Sequence, residues 1–151
     1  MTSEVSSYLS SFDSESFNDP DADVIFQSLD GTKYRIHREN LHYMSGGFPP
    51  MVFAVDAKGV MHLPEDSQIL DLLFAFMYPE SQPDLDGMSF DVVEALTEAA
   101  EKYQVYPALE ICKMFMVKAA DEHPLEVLTY ALDHGHEAIY ERVSVLGFRD
   151  P

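Results

Sequence analysis

Two short segments near the start of the chain alternate hydrophobic and polar residues, and a turn signal separates them. Together they form residues 22–37, ADVIFQSLDGTKYRIH. Alternation with a period of two is typical of β-strands, whose successive side chains point to opposite faces. The Asp30-Gly31 dipeptide favours a two-residue type I′ turn, in which both central residues have positive φ. The sequence therefore predicts a β-hairpin whose inward-facing residues are Val24, Phe26, Tyr34 and Ile36.

After the hairpin, hydrophobic residues recur every three or four positions, which is the pattern of amphipathic helices. Side-chain oxygens that can cap a helix stand before several of these segments. Proline fits the first turn of two later helices, and Gly135 fits a helix end. The predicted elements are a helix over 38–45, a strand over 60–63, and helices that start after Asp66 or Ser67, after Ser89, at Pro107, at Pro124 and at about Glu137.

Strands followed by a run of helices predict an α+β fold. We expect a small three-stranded sheet with an N-terminal β-hairpin, covered by a cluster of five to six α-helices. Polar residues dominate 1–20, which predicts a flexible or partly helical tail, and Phe17 near its end is expected to pack on the core. Four hydrophobic residues of the tail have the i, i+3, i+4, i+7 spacing of a helix face and are candidate dimer contacts: Val5, Tyr8, Leu9 and Phe12.

Charge narrows the range of partners. With 9 Lys and Arg residues against 27 Asp and Glu residues, the 151-residue chain has a formal net charge of −18. This charge argues against binding to nucleic acids or to anionic membrane surfaces. It favours solubility, with attraction of a basic partner as the alternative. The single cysteine, Cys112, excludes an intramolecular disulfide, and neither a membrane-length apolar run nor a secretory signal is evident. We therefore expect an intracellular protein of the cytoplasm, the nucleus or both.

The sequence contains no pattern typical of a catalytic, cofactor or metal site. The nucleophile elbow, the P-loop and the H-E-x-x-H zinc motif are absent. We interpret His37 as a hydrogen-bonded structural residue and Cys112 as a buried, inert thiol. His134 and His136 flank Gly135 and could chelate a metal only in a suitably shaped loop. We predict a non-enzymatic protein without cofactors or metals; a small enzyme whose site has no recognisable motif is the alternative.

Six segments carry residues whose order and spacing together are more specific than any one of them. They are DPDADVIF at 19–26, YRIHR at 34–38, FPPM at 48–51, VMHLPEDS at 60–67, LLFAFMYP at 72–79 and AAEKYQV at 99–105. Together they resemble the BTB/POZ domain family, and the Tyr-Pro at 78–79 resembles its fungal-type members. The resemblance implies three parts of the chain: a tail over 1–16, a BTB/POZ domain over 17–120 and a C-terminal helical extension over 121–151.

What this resemblance implies is a protein-interaction module that forms homodimers or heterodimers and recruits protein partners. In many members the partner is a cullin scaffold, which would make the chain a ubiquitin-ligase substrate adaptor; oligomerisation of a transcriptional regulator is the alternative. Cullin-binding members often carry an apolar-x-glutamate element, where this chain has Val55-Asp56-Ala57. The candidate interaction residues are Val5, Tyr8, Leu9 and Phe12 in the tail, and Phe48, Met51, Val52 and Phe53 in a hydrophobic cluster after the hairpin.

Overall fold

Two layers form the fold, a small β-sheet and the helices packed on it, in a computed structural model that describes residues 12–48, 55–80 and 82–147. The strands are β1 (Phe12–Asp13), β2 (Val24–Gln27), β3 (Thr32–Ile36) and β4 (Val60–His62). The helices are α1 (Arg38–Met44), α2 (Ser67–Ala75), α3 (Phe90–Tyr103), α4 (Tyr106–Lys118), α5 (Pro124–His134) and α6 (Glu137–Gly147), with a 3-10 turn at Ala119–Asp121. The predicted α+β fold is confirmed.

The sheet has four strands in the described residues, where the sequence predicts three. Their order is β1-β3-β2-β4, with β2 and β3 antiparallel and each outer strand parallel to its neighbour. Strand β1 escapes prediction because two residues are too few to show an alternating pattern. It also corrects the predicted helical face of the tail, since Phe12 pairs with Thr32 as extended backbone and a helix cannot continue through it.

The hairpin has the predicted faces but a different turn. The predicted inward-facing side chains are all buried: Val24, Phe26, Tyr34 and Ile36. The loop has three residues, because the Ser28 amide donates to the Thr32 carbonyl at 2.8 Å. In this loop only Gly31 has positive φ, so the prediction of a two-residue type I′ turn is wrong. The Asp30 carboxylate instead accepts hydrogen bonds from the amide and hydroxyl of Ser67, at 2.8 and 2.6 Å, and thereby ties the loop to the start of α2.

Aromatic rings form the centre of the main core, between the sheet and the helices. Phe74 of α2 is fully buried, and its ring centroid lies 5.1–6.0 Å from four other rings. These rings belong to Phe17, Phe26, Tyr34 and Phe48. Aromatic pairs of this kind contribute about 0.5–1.5 kcal/mol each beyond the area that they bury. The expected packing of Phe17 on the core is thus confirmed.

A second, smaller core attaches helices α5 and α6 to the rest of the chain. It combines side chains of α3, α4 and the 3-10 turn with side chains of the two C-terminal helices. Its buried members are Val93, Met116, Ala120, Val127, Leu128, Tyr130 and Val143. Pro124 begins α5, and Gly135 ends it with a φ of 70°, both as predicted. Helices α5 and α6 are therefore packed against α3 and α4.

Candidate interaction surfaces

Among the strands of the described residues, β1 forms one edge of the sheet. The Phe12 amide donates to the Gly31 carbonyl at 2.9 Å, and the Ser14 amide donates to the Lys33 carbonyl at 2.8 Å. The hydroxyl of Ser14 then accepts a hydrogen bond from the Phe17 amide at 3.1 Å, which turns the chain back toward the core. Phe12 itself is 45% exposed. An exposed aromatic side chain on an edge strand is a candidate association surface, because strand edges carry unpaired backbone groups.

The predicted contact residues are only partly within the described residues. Six of the eight lie outside them: Val5, Tyr8, Leu9, Met51, Val52 and Phe53. Phe48 is buried, and its ring stacks on Tyr103 with a centroid distance of 4.1 Å and an interplanar angle of 15°. A Cβ atom on the neighbouring Gly47 would lie 2.7 Å from the Tyr103 carbonyl oxygen, so this close approach requires glycine. Phe48 therefore packs in the core of its own chain, and Phe12 is the exposed one of the two.

A cleft of about 410 Å³ lies between the segment that precedes β2, strand β3 and helix α2. At its wall, Nδ1 of His37 is 2.9 Å from the Tyr78 hydroxyl, and Nε2 is 3.1 Å from the Asp19 carboxylate. Hydrogen bonds from the Asp21 amide and with His37 hold the pKa of Asp19 below its ordinary value. The predicted hydrogen bonding of His37 is confirmed. Both ring nitrogens of His37 thus have a hydrogen-bond partner at the wall of this cleft.

A buried carboxylate, Glu101 of α3, joins the domain to the C-terminal helices. Its Oε2 atom accepts a hydrogen bond from the Tyr130 hydroxyl at 2.6 Å and lies 2.6 Å from Nε2 of His136. Nearby, Nε2 of His134 is 2.8 Å from the Glu98 carboxylate. Burial raises the pKa of Glu101, but the hydrogen bonds with Tyr130 and His136 outweigh this effect, and its pKa lies below the ordinary value of 4.5. The carboxylate is therefore charged at neutral pH and anchors α5 to α3.

His134 and His136, which flank Gly135, thus each lie within hydrogen-bonding distance of a carboxylate. Within the part of the chain that the structure describes, no group of three or more His, Cys, Asp or Glu side chains is arranged to hold a metal ion. Sequence reasoning missed Glu101. The available signal was its position on the buried stripe of α3, four residues after Thr97 and eight after Val93. A charged residue on such a stripe requires buried hydrogen-bond partners.

Cys112 of α4 is a free cysteine that is fully buried. Burial raises the pKa of its thiol to about 11, so very little of the reactive thiolate is present at neutral pH. This agrees with the prediction of a buried, inert thiol. None of the helices in the described ranges is both long enough and apolar enough to cross a membrane.

Comparison with known proteins identifies one family. The family model of the BTB/POZ domain matches residues 13–120, which is more than half of the chain. The matched region begins at the second residue of β1 and contains strands β2 to β4 and helices α1 to α4. It ends within the 3-10 turn, and α5 and α6 follow it. A comparison with curated proteins finds no match.

Proposed function

The chain belongs to the BTB/POZ domain family, and from that premise we propose that it forms homodimers through the N-terminal edge of its sheet and recruits protein partners as a dimer. BTB/POZ domains are protein-interaction modules and are generally non-enzymatic. Family membership supports a function in protein interaction, whereas the proposed dimer surface is inferred from this chain's own residues.

The observation that carries the proposal is the exposed Phe12 on strand β1. Edge strands pair readily with a second chain because their outward amides and carbonyls lack partners. Phe12 adds a large hydrophobic side chain to this edge, whereas Phe17, five residues later, packs on the core. The three preceding hydrophobic residues of the predicted contact set, Val5, Tyr8 and Leu9, would extend the same surface toward the chain start.

The local charge at this edge is compatible with self-association, although the chain as a whole is acidic. The register of β1 on β3 places Asp13 beside Lys33. Arg35, the next outward residue of β3, adds a second positive charge. Two copies that meet here would therefore bring charges of both signs together, which favours a defined register over repulsion.

Phe12→Ser should raise the dimer dissociation constant at least about tenfold, because tenfold corresponds to about 1.4 kcal/mol and loss of a hot-spot anchor at an interface costs about 2 kcal/mol or more. The constant can be measured by sedimentation velocity on the full-length protein over a concentration series. Met114→Ser is the matched control, since it removes a side chain that is 67% exposed on α4, and it should leave the constant unchanged.

Deletion of residues 1–11 should weaken the dimer in the same direction, because it removes Val5, Tyr8 and Leu9. An unchanged constant in Phe12→Ser, or an equal loss in Met114→Ser, would show that the dimer does not use this edge.

We further propose that partner recruitment does not use the cullin-binding element of the family. Asp56 stands nearest to the position of its glutamate, and its carboxylate lies 2.9 Å from Nε2 of His62. The same carboxylate accepts hydrogen bonds from the amides of Lys58 and Val60, at 2.8 and 3.0 Å. The hydrogen bond with His62 and those from the two amides lower the pKa of Asp56 to about 2. The Asp56 carboxylate is thus held by hydrogen bonds with residues 58–62 of its own chain.

Affinity purification of the full-length protein from the cells that express it, followed by mass spectrometry, should recover partner proteins without a cullin. The Phe12→Ser variant, purified in parallel, reports which partners depend on the dimer. Repeated recovery of a cullin with the unmodified protein would contradict this proposal and would favour the role of a ubiquitin-ligase substrate adaptor.

A further inference from the structure

A groove of about 520 Å³ lies between helices α5 and α6, and we call it the C-terminal groove. It is lined by Ala131, Leu132, Gly135, Glu137, Tyr140 and Glu141. Leu132 is 64% exposed and Tyr140 is 37% exposed. Four of the ten exposed large hydrophobic side chains in the described residues lie on these two helices: Leu125, Leu132, Tyr140 and Val145. Leu132 and Tyr140 line the groove itself, and exposed apolar side chains that lie together are typical of an interaction site.

The rim of the C-terminal groove is acidic. Glu137 and Glu141 are four residues apart on α6, a spacing at which two like charges destabilise a helix. Neither carboxylate has an ion pair or a side-chain hydrogen bond among the described residues, and no basic residue lines the groove. A cation that approached from another molecule would therefore relieve a repulsion between Glu137 and Glu141 that no ion pair among the described residues offsets.

We propose that the C-terminal groove binds an amphipathic helix of a basic partner protein. Its hydrophobic face would lie between Leu132 and Tyr140, and its Lys or Arg side chains would pair with Glu137 and Glu141. Helices α5 and α6 have 11 residues each, or about 16 Å, which accommodates about three turns of a partner helix. In this mode the hydrophobic contacts supply most of the affinity, and the exposed ion pairs select the partner.

A second copy of this chain is a poorer occupant. It would bring an identical acidic rim, and a net charge of −18, against the same carboxylates. An anionic membrane surface is disfavoured for the same reason. The proposal goes beyond the homodimer proposal, because the groove contains none of the residues assigned to the N-terminal edge. Phe12→Ser should accordingly leave binding at the groove unchanged, so the two proposals can fail separately.

The test uses a synthetic amphipathic peptide of about four helical turns, with leucine on one face and lysine on the other. Its binding to the full-length protein is measured by fluorescence anisotropy. Leu132→Ser/Tyr140→Ser should weaken binding at least about tenfold, because it removes two hydrophobic anchors without changing the net charge. Glu137→Gln/Glu141→Gln should weaken binding about three- to tenfold and should reduce its dependence on salt. Met114→Ser is the matched control and should bind as the unmodified protein does.

Equal binding to the unmodified protein and to Leu132→Ser/Tyr140→Ser would show that overall charge alone attracts the peptide, and would overturn the proposal. A counterpart peptide with glutamate in place of lysine should bind much more weakly; equal binding of the two peptides would overturn the choice of a basic partner. Circular dichroism verifies that each variant is folded. If the Leu132→Ser/Tyr140→Ser variant unfolds, the Glu137→Gln/Glu141→Gln variant still tests the proposal, because both of its altered side chains are exposed. Unchanged peptide affinity of that variant would also overturn the proposal.

Discussion

Replacing Phe74 with alanine should lower the free energy of unfolding by about 3–5 kcal/mol. Phe74 is fully buried, and its ring contacts four other aromatic rings, from the segment before β2, both hairpin strands and the segment after α1. Truncation would remove these contacts and leave a cavity at the centre of the core. Phe26 and Tyr34 project from paired strands whose backbone is held by hydrogen bonds, so their rings cannot easily move to fill it.

Urea unfolding of the full-length protein at one fixed concentration, followed by circular dichroism, measures this loss. Tyr43→Ala is the matched control, because it truncates an aromatic side chain that is 72% exposed on α1. We expect the control to change stability by no more than about 0.5 kcal/mol. A loss below about 1 kcal/mol for Phe74→Ala would contradict the central place of this ring in the core.

Glu101→Ala should lower the free energy of unfolding by about 3–5 kcal/mol, because it leaves buried hydrogen-bonding groups without their acceptor. The Tyr130 hydroxyl and His136 both lose a contact of 2.6 Å. Hydrogen exchange should locate the loss, with faster exchange of the amides of α5 than of those in β2 and β3. Glu98→Ala is the matched control on the same helix; its side chain is 50% exposed, and its loss should cost about 1 kcal/mol or less.

The effect of Glu101 should depend on pH with a defined sign. Its pKa in the folded chain lies below the ordinary value of 4.5. A carboxylate of this kind contributes its full stability above its unfolded pKa, and loses it as the pH falls through the folded pKa. The stability difference between the unmodified protein and Glu101→Ala should therefore shrink as the pH falls below about 4.5. A difference that grows on acidification would contradict the assignment of Glu101 as a charged anchor.

Local patterns predicted the parts of the fold that depend on neighbouring residues. Alternation identified the buried faces of the hairpin. Capping chemistry identified Asp66 and Ser89, whose side chains accept hydrogen bonds from the amides of Ile69 and Val92. The prediction of a two-residue hairpin turn was wrong. Asp30 accepts hydrogen bonds from Ser67, 37 positions away, and local turn propensities do not include such a contact. The Asp-Gly pair therefore predicted a turn at the right place with the wrong length.

The candidate sites were harder to predict, because each depends on contacts between distant segments. Phe48 looks like an exposed cluster residue beside glycine and proline, yet it stacks on Tyr103 of α3. Phe12 was identified from a helical spacing, although the structure places it in a strand. The contacts of His134 with Glu98 and of His136 with Glu101 could not be predicted, because the partners are 36 and 35 positions apart in the sequence.

The molar mass of the unmodified full-length protein in solution tests the central claim most directly, namely that the chain is a homodimeric BTB/POZ interaction module. Light scattering coupled to size-exclusion chromatography, at micromolar concentration and physiological salt, measures it. We predict twice the 17.1 kDa of one chain, with a shift toward the single-chain mass on dilution. A mass of 17.1 kDa at every concentration would contradict the proposed function.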